Sequence, residues 1–342
     1  MKFKLKNFLI LIAVFALFCA PLEINNVGGS NSKRAFAAEF KQNEVYLGGF
    51  PLGFDLAGEG AHVVGLAEVV AENGVFLPAK EAGIKAGDVI LSLDGKKITI
   101  ASNIDEVLSV YKGGGLVAEV LSDGKKRLCN VYPVKDLGGK YKIGVLIRDY
   151  LSGLGTVTFI KPSGEFYSLG HPIADEYNNL LKVNGGYCYK CVITGVVKGE
   201  RGRAGELKGS IVRKQRLGDV KENTVIGLTG TFDEKSAYDT RLVIETGSPE
   251  VGAAQIYATI EGSEPEVYSI SIVKVDNGDK ENKNMVIKII DEKLISAAGG
   301  IVQGMSGSPI VQRGKLVGAV THVFLNDATR GYAISVENML KK

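Results

Sequence analysis

A chain of 342 residues with 45% apolar content carries enough hydrophobic side chain for more than one packed core. Glycine reaches 44 residues, tryptophan is absent, and β-branched runs alternate with Gly, Asp and Asn clusters, a balance that excludes a helical bundle and favours a mostly β protein. The formal net charge of +3 drops to near −1 without residues 1 to 37, leaving 36 basic against 37 acidic residues and no surplus for a nucleic-acid partner.

The N-terminus places Lys2, Lys4 and Lys6 before an unbroken apolar stretch from Phe8 to Ala20, followed by polar residues and Ala35-Phe36-Ala37. This is the layout of a secretory signal. Thirteen apolar residues fall short of the roughly twenty that a spanning helix needs, so residues 1–38 read as a cleaved leader, with an uncleaved signal anchor as the alternative. Either way the protein is exported.

Residues 43–136 read as one compact unit. Val45 to Leu47 forms a strand, and Phe50-Pro51-Leu52-Gly53-Phe54 follows as a Gly-flanked apolar loop. A strand over Val63 to Val70, a short helix at Ala79 to Ala82 and the tight-hairpin pair Asp94-Gly95 come next. Asn103 caps a helix reaching Tyr111, and strands at Gly115 to Leu121 and Arg127 to Val134 close the unit. From Tyr141 to the end, strand-like runs separated by Gly, Asp or Asn recur, including Gly155 to Ile160, Cys191 to Val197, Ala254 to Ile260, Met285 to Ile290 and Lys315 to Val323. Their spacing suggests a barrel or a pair of barrels in residues 141–342.

The chemistry concentrates in Gly304-Met305-Ser306-Gly307-Ser308-Pro309. Its glycines let the backbone fold tightly enough to expose the Ser306 hydroxyl and aim the N–H groups of Gly304 and Ser306 at one point, an oxyanion hole. A serine needs a base, and the sequence offers only His62, His171 and His322. His62 lies in the first compact unit. His171 sits between Gly170 and Pro172, whose small or rigid frames hold it in place, and it precedes the nucleophile. His322 lies sixteen residues after Ser306 on the strand leaving the loop, and the resemblance of that loop to chymotrypsin-like proteases implies that this strand lines a specificity pocket. For the carboxylate that orients the base, Asp291 at a strand end is the first choice, with Asp175 the rival and Asp327 a weaker one. Three histidines and the Cys188/Cys191 pair have no zinc spacing, Cys129 stands alone, and no phosphate-binding loop occurs. The sequence therefore implies neither metal nor cofactor.

The run Ala82 to Gly95, AGIKAGDVILSLDG, resembles the PDZ domains of bacterial proteases. That resemblance implies a peptide or C-terminal ligand, with the protein's own segment among the candidates, gripped by the backbone of Leu52, Gly53 and Phe54. The Ser306 loop resembles that of chymotrypsin-like proteases, which implies a double β-barrel with the base, His171, supplied by the first barrel. Taken with Gly170-His171-Pro172, Asp291 and the run from Gly299 to His322, the protein resembles the stage IV sporulation protein B peptidases over nearly all of residues 39–342. The resemblance implies a PDZ domain followed by a serine endopeptidase with His171, Asp291 and Ser306 as its catalytic residues. It further implies self-cleavage in the space between the membranes around the forespore, and cleavage of a membrane-anchored regulator whose loss releases an intramembrane protease that activates a late sigma factor. Met305 stands where trypsin-like zymogens carry an aspartate, which closes that activation route and leaves control to the PDZ domain. A degradative quality-control protease and a non-catalytic PDZ scaffold are the alternatives.

Overall fold

The computed structural model describes residues 41–174, 180–276 and 282–341. The leader and Asp175 lie outside them. Phe40–Lys342 form one compact unit.

Strand β1 (Glu44–Leu47) leads to β2 (Pro51–Leu66), a single strand of 16 residues that belongs to two bodies. Its second half enters an inserted unit comprising β3 (Val69–Ala71), β4 (Gly74–Phe76), α1 (Pro78–Glu81), β5 (Val89–Leu93), β6 (Lys96–Lys97), α2 (Ala101–Ser109), β7 (Leu116–Ser122), β8 (Lys125–Val131), β9 (Val134–Lys135) and β10 (Tyr141–Lys142). This unit has its own core, with Val63, Ile90, Leu93, Ile104, Val120 and Val131 among its buried residues. The buried Asp88 explains the motif before β5. Its Oδ2 accepts from the Lys85 N–H at 3.0 Å and from Arg127 at 2.7 Å, which ties the loop to β8. Asp94 and Gly95 both take positive φ, 51° and 79°, as the hairpin reading requires. Asn103 sits three residues inside α2 from its cap and reaches back to the N–H groups of Thr99 and Ile100. The first helical N–H, that of Ala101, donates to Asp149.

The backbone returns through β11 (Val145–Ile160), also 16 residues long, and continues as β12 (Glu165–Leu169), β13 (Val183–Val197), β14 (Glu206–Thr224) and β15 (Gly227–Phe232). Among the described residues six strands close a barrel, with pairings running β2, β11, β12, β15, β14, β13 and back to β2. Phe54, Leu56, Val157, Phe166, Leu228 and Phe232 fill it. After β16 (Val243–Thr246) come β17 (Gly252–Ala258), β18 (Glu266–Val275), β19 (Met285–Ile289), α3 (Glu292–Ala298), β20 (Pro309–Gln312), β21 (Lys315–Phe324), β22 (Asp327–Ser335) and α4 (Val336–Leu340). A second six-stranded closure follows among the described residues, through β17, β18, β19, β22, β21, β20 and back to β17. The alternating burial of β17 and β18 gives each strand one face in this barrel's core. β1 pairs with β11 and with β16, and β16 runs parallel to β21, so a short ladder stitches the barrels together.

This pairing corrects two expectations. Leu52, Gly53 and Phe54 are not a ligand-gripping loop. They are bonded on one edge to Gly155, Leu154 and Gly153 and on the other to Lys190, Tyr189 and Cys188, so both sides of the backbone are taken. The boundary at residue 141 also shifts, because β1 and Pro51–Ala57 belong to the barrels and the PDZ-like unit is inserted between β2 and β11 instead of preceding the peptidase. A Gly-flanked apolar run reads equally as a loop or a buried strand, and only barrel closure, a long-range event, decides between them.

Because Phe54 is 5% exposed inside the first barrel, Phe54→Ala should cost about 3–5 kcal/mol of stability, read as a lowered urea midpoint. A wild-type midpoint would return this residue to a surface loop.

Candidate active site

The nucleophile loop is held from both barrels. Gly304 and Gly307 take φ of 97° and 94°, and a Cβ on Gly307 would stand 2.1 Å from the Thr156 carbonyl oxygen, so only glycine fits there. Met305 is fully buried in the second barrel and its N–H donates to the Val302 carbonyl at 3.1 Å. The Gly307 N–H donates to Val320 at 2.8 Å and the Ser308 N–H to Met305 at 2.9 Å. The N–H groups of Gly304 and Ser306 find no acceptor among the described residues. Two uncommitted donors on a rigid loop beside a serine hydroxyl are what an oxyanion hole requires.

Ser306, Gly304, His171, His322, Thr321 and Leu154 line one cavity of about 460 Å³. The Ser306 hydroxyl donates to the Thr321 carbonyl at 2.9 Å, so at rest it is parked on β21 and not on a histidine. His171 follows Leu169 and Gly170, which both adopt left-handed φ near 67°, a sharp reversal at the end of β12 that throws the imidazole into the cavity. Its Nδ1 lies 2.9 Å from the Pro172 carbonyl oxygen. A carbonyl only accepts, so Nδ1 carries the proton and Nε2 keeps its lone pair, the tautomer a general base needs. Burial pushes the His171 pKa down, the Pro172 hydrogen bond opposes this, and the Lys283 charge lowers it further. His171 is therefore neutral at pH 7. The His322 ring packs on it, centroids 4.8 Å apart and tilted 40°. Burial, with smaller contributions from His171 and Lys283, pushes the pKa of His322 down to about 4, and its buried Nδ1 has no hydrogen-bond partner among the described residues.

The structure brings Ser306, His171, Gly304 and His322 together, but it puts Asp291 elsewhere. Asp291 is the N-cap of α3. Its Oδ1 accepts from the Leu294 N–H and its Oδ2 from the Ser269 N–H, each at 3.1 Å, and it does not line the cavity. An aspartate before a short helix that ends at Gly299 (φ 79°) carries a capping signal as strong as any strand-end signal. Asp327 is used locally, accepting from the N–H and hydroxyl of Thr329. Among the described residues no carboxylate bonds to His171, and the Pro172 carbonyl takes over the setting of its tautomer.

A second cavity, of about 500 Å³, separates α2 from the start of β11, with Ile104, Leu108, Ile143, Gly144, Val145 and Ile147 in its wall. Here Val145–Arg148 pair on one edge with Leu66–His62, and Gly144 (φ 72°) is so close to Ala67 that a Cβ would lie 2.4 Å from its carbonyl oxygen. Ile143 to Val145 share with Leu52 to Phe54 the pattern of apolar residues around a glycine beside a strand, and here they border a cavity. The signal in the sequence was Ile143-Gly144-Val145, apolar residues around a glycine just before a strand.

Folded His322 binds its proton near pH 4 and the unfolded residue near 6.5. Between those values the unfolded state holds more protons, so stability is full above about pH 6.5 and is lost as pH falls towards 4. His322→Phe should flatten the pH dependence of the urea midpoint across that window, and an unchanged slope would contradict the assignment.

A family model described as SpoIVB peptidase S55 matches residues 139–340. The protein is also similar to a putative zinc metalloprotease of Lactococcus lactis, 34% identical over 93 residues, which make up 27% of this chain and 20% of that protein. The match thus spans about a fifth of the length of that curated relative. A solved PDZ domain of an SdrC-like protein from Listeria monocytogenes matches at 19% identity, covering 27% of this chain and 90% of that one, with a TM-score of 0.22. The family match takes in more than half of the sequence and contains the Ser306 loop, His171 and the second barrel, and the chain belongs to the SpoIVB peptidase S55 family.

Proposed function

We propose that the protein is a serine endopeptidase of narrow specificity. The observation that carries this reading is one cavity holding the Ser306 hydroxyl, two uncommitted N–H donors and a neutral His171 with a free Nε2. In the reaction the Ser306 hydroxyl turns from Thr321 to Nε2 of His171 and attacks the scissile carbonyl as its proton passes to the imidazole. The developing oxyanion is held by the Gly304 and Ser306 N–H groups, while Nδ1 stays bonded to Pro172. Protonated His171 then gives its proton to the leaving amine, and water hydrolyses the acyl-enzyme by the same steps reversed.

The signalling role follows from the family resemblance. After export, the enzyme cleaves itself and a membrane-anchored regulator in the intermembrane space of the forespore, which activates a late sigma factor through an intramembrane protease. The groove between α2 and β11 is assigned to an extended peptide or a free C-terminus, a segment of the protein itself among the candidates, and the inserted unit to the PDZ class. Two features support this assignment: the Ala82 to Gly95 motif and the apolar groove wall beside a strand.

Two experiments test the reading. A fluorophosphonate should label Ser306 in the wild type, and His171→Ala should slow labelling by about a thousandfold; equal rates would remove His171 as the base. In the groove, Val70 and Leu137 are exposed lining residues, so Val70→Glu with Leu137→Glu adds charge without touching the core. Self-cleavage should change at least about threefold. An unaltered rate would detach the groove from control of the peptidase.

A further inference from the structure

We propose that Thr156, on β11 of the first barrel, is a positioning residue that holds the oxyanion hole in its working shape. The inference rests on the serine peptidase reading.

The two donors of the hole lie on either side of Met305, in a loop whose first residue is a glycine at φ 97°. Such a glycine has other backbone basins open to it, and rotation there would swing its N–H away from the oxyanion. Something must therefore restrain the loop on the side facing the first barrel, because Met305 anchors only the side facing the second. Thr156 does this with two bonds. Its hydroxyl donates to the Gly304 carbonyl at 2.9 Å, and its N–H donates to the Ser306 carbonyl at 3.1 Å. The carbonyls of both hole residues are thus fixed by one threonine, and fixing each carbonyl limits the rotation of the residue that carries the donor.

Thr156 is 3% exposed, so its hydroxyl is a buried donor committed to this acceptor. Two residues on, the same face of β11 presents Thr158, fully buried, whose hydroxyl donates to the Gly307 carbonyl at 2.8 Å. Gly307 lies beyond Ser306, and its N–H is already bonded to Val320. The two threonines make similar contacts between the barrels, but only Thr156 reaches a donor residue of the hole. A purely structural role would make them equivalent.

The test uses the full-length protein and the second-order rate of fluorophosphonate labelling at Ser306, a reaction that places developing negative charge in the hole. Thr156→Val should slow labelling by about tenfold or more, less than the hundredfold or greater loss expected when a hole donor is removed outright. Thr156→Ser, which keeps the hydroxyl, should stay within about threefold of wild type, with the pH dependence set by His171 unchanged in both variants. Thr158→Val should lower the melting temperature by a similar amount yet label within about threefold of wild type. Thr156→Ala removes the hydroxyl without a second methyl and serves if the valine variant does not fold. Equal slowing in the Thr156 and Thr158 variants, or wild-type labelling without the Thr156 hydroxyl, would overturn the proposal. Absence of labelling in the wild type would instead refute the serine reading on which it stands.

Discussion

Strand β11 is the member on which both sites depend. Val145 and Ile147 form part of the groove wall, Leu151 to Leu154 part of the active-site cavity, and Thr156 bonds to Gly304 in the Ser306 loop. At about 3.3 Å per residue, the eleven steps from Val145 to Thr156 span roughly 36 Å without leaving the strand. Side chains alternate along it, so a slip of one residue would turn Thr156 away from Gly304 and expose the barrel core face. Its register is set by ladders on both sides, to β2 along most of its length and to β12 and β1 near its end. Irregularities between Leu146 and Ile147 and between Arg148 and Tyr150 re-aim the strand as it passes from one body to the other.

Among the described residues the site relies on main-chain groups. A carbonyl sets the tautomer of His171, another parks Ser306, and two N–H groups form the hole. Among the described residues the partner of His171 Nδ1 is the Pro172 carbonyl, a dipole and not a charge. Burial and Lys283 press in the same direction, against protonation. His171 is thus held neutral at pH 7, and the Ser306 hydroxyl rests on the Thr321 carbonyl.

What could be read from the amino-acid sequence depended on how local each constraint is. The Ser306 loop was legible because its two glycines answer to a local demand, left-handed φ at both Gly304 and Gly307, within one six-residue run. His171 was legible because Gly170 and Pro172 frame it. The mostly β character followed from strand spacing, which left a barrel or a pair of barrels open, and the double barrel was what the resemblance of the Ser306 loop to chymotrypsin-like proteases implied. Leu52 to Phe54 and Ile143 to Val145 share one pattern, apolar residues around a glycine beside a strand, and their roles separate only when the first barrel closes over the former. Asp291 carried two signals, a strand end and a helix start, and the two N–H groups it satisfies decide for the second. The Thr156 contacts join residues 148 positions apart, which no local pattern reveals.

The insertion explains why such a distant contact matters. The inserted unit leaves the barrel on β2 and returns on β11, and these two strands are paired with each other on both sides of the junction. Two paired strands resist bending far more than a flexible linker does, so a shift of the inserted unit is not absorbed where the bodies meet. The irregular stretch there contains Gly58 and Gly60, and a Cβ on Gly60 would lie 2.6 Å from the Ile90 carbonyl oxygen, so even this bend is closely packed. Along β11 the groove wall is followed by Leu151 to Leu154 in the wall of the active-site cavity and then by Thr156, whose hydroxyl bonds to Gly304. The groove-wall residues Val145 and Ile147 and the clamp residue Thr156 thus lie on one continuous strand, with no loop between them.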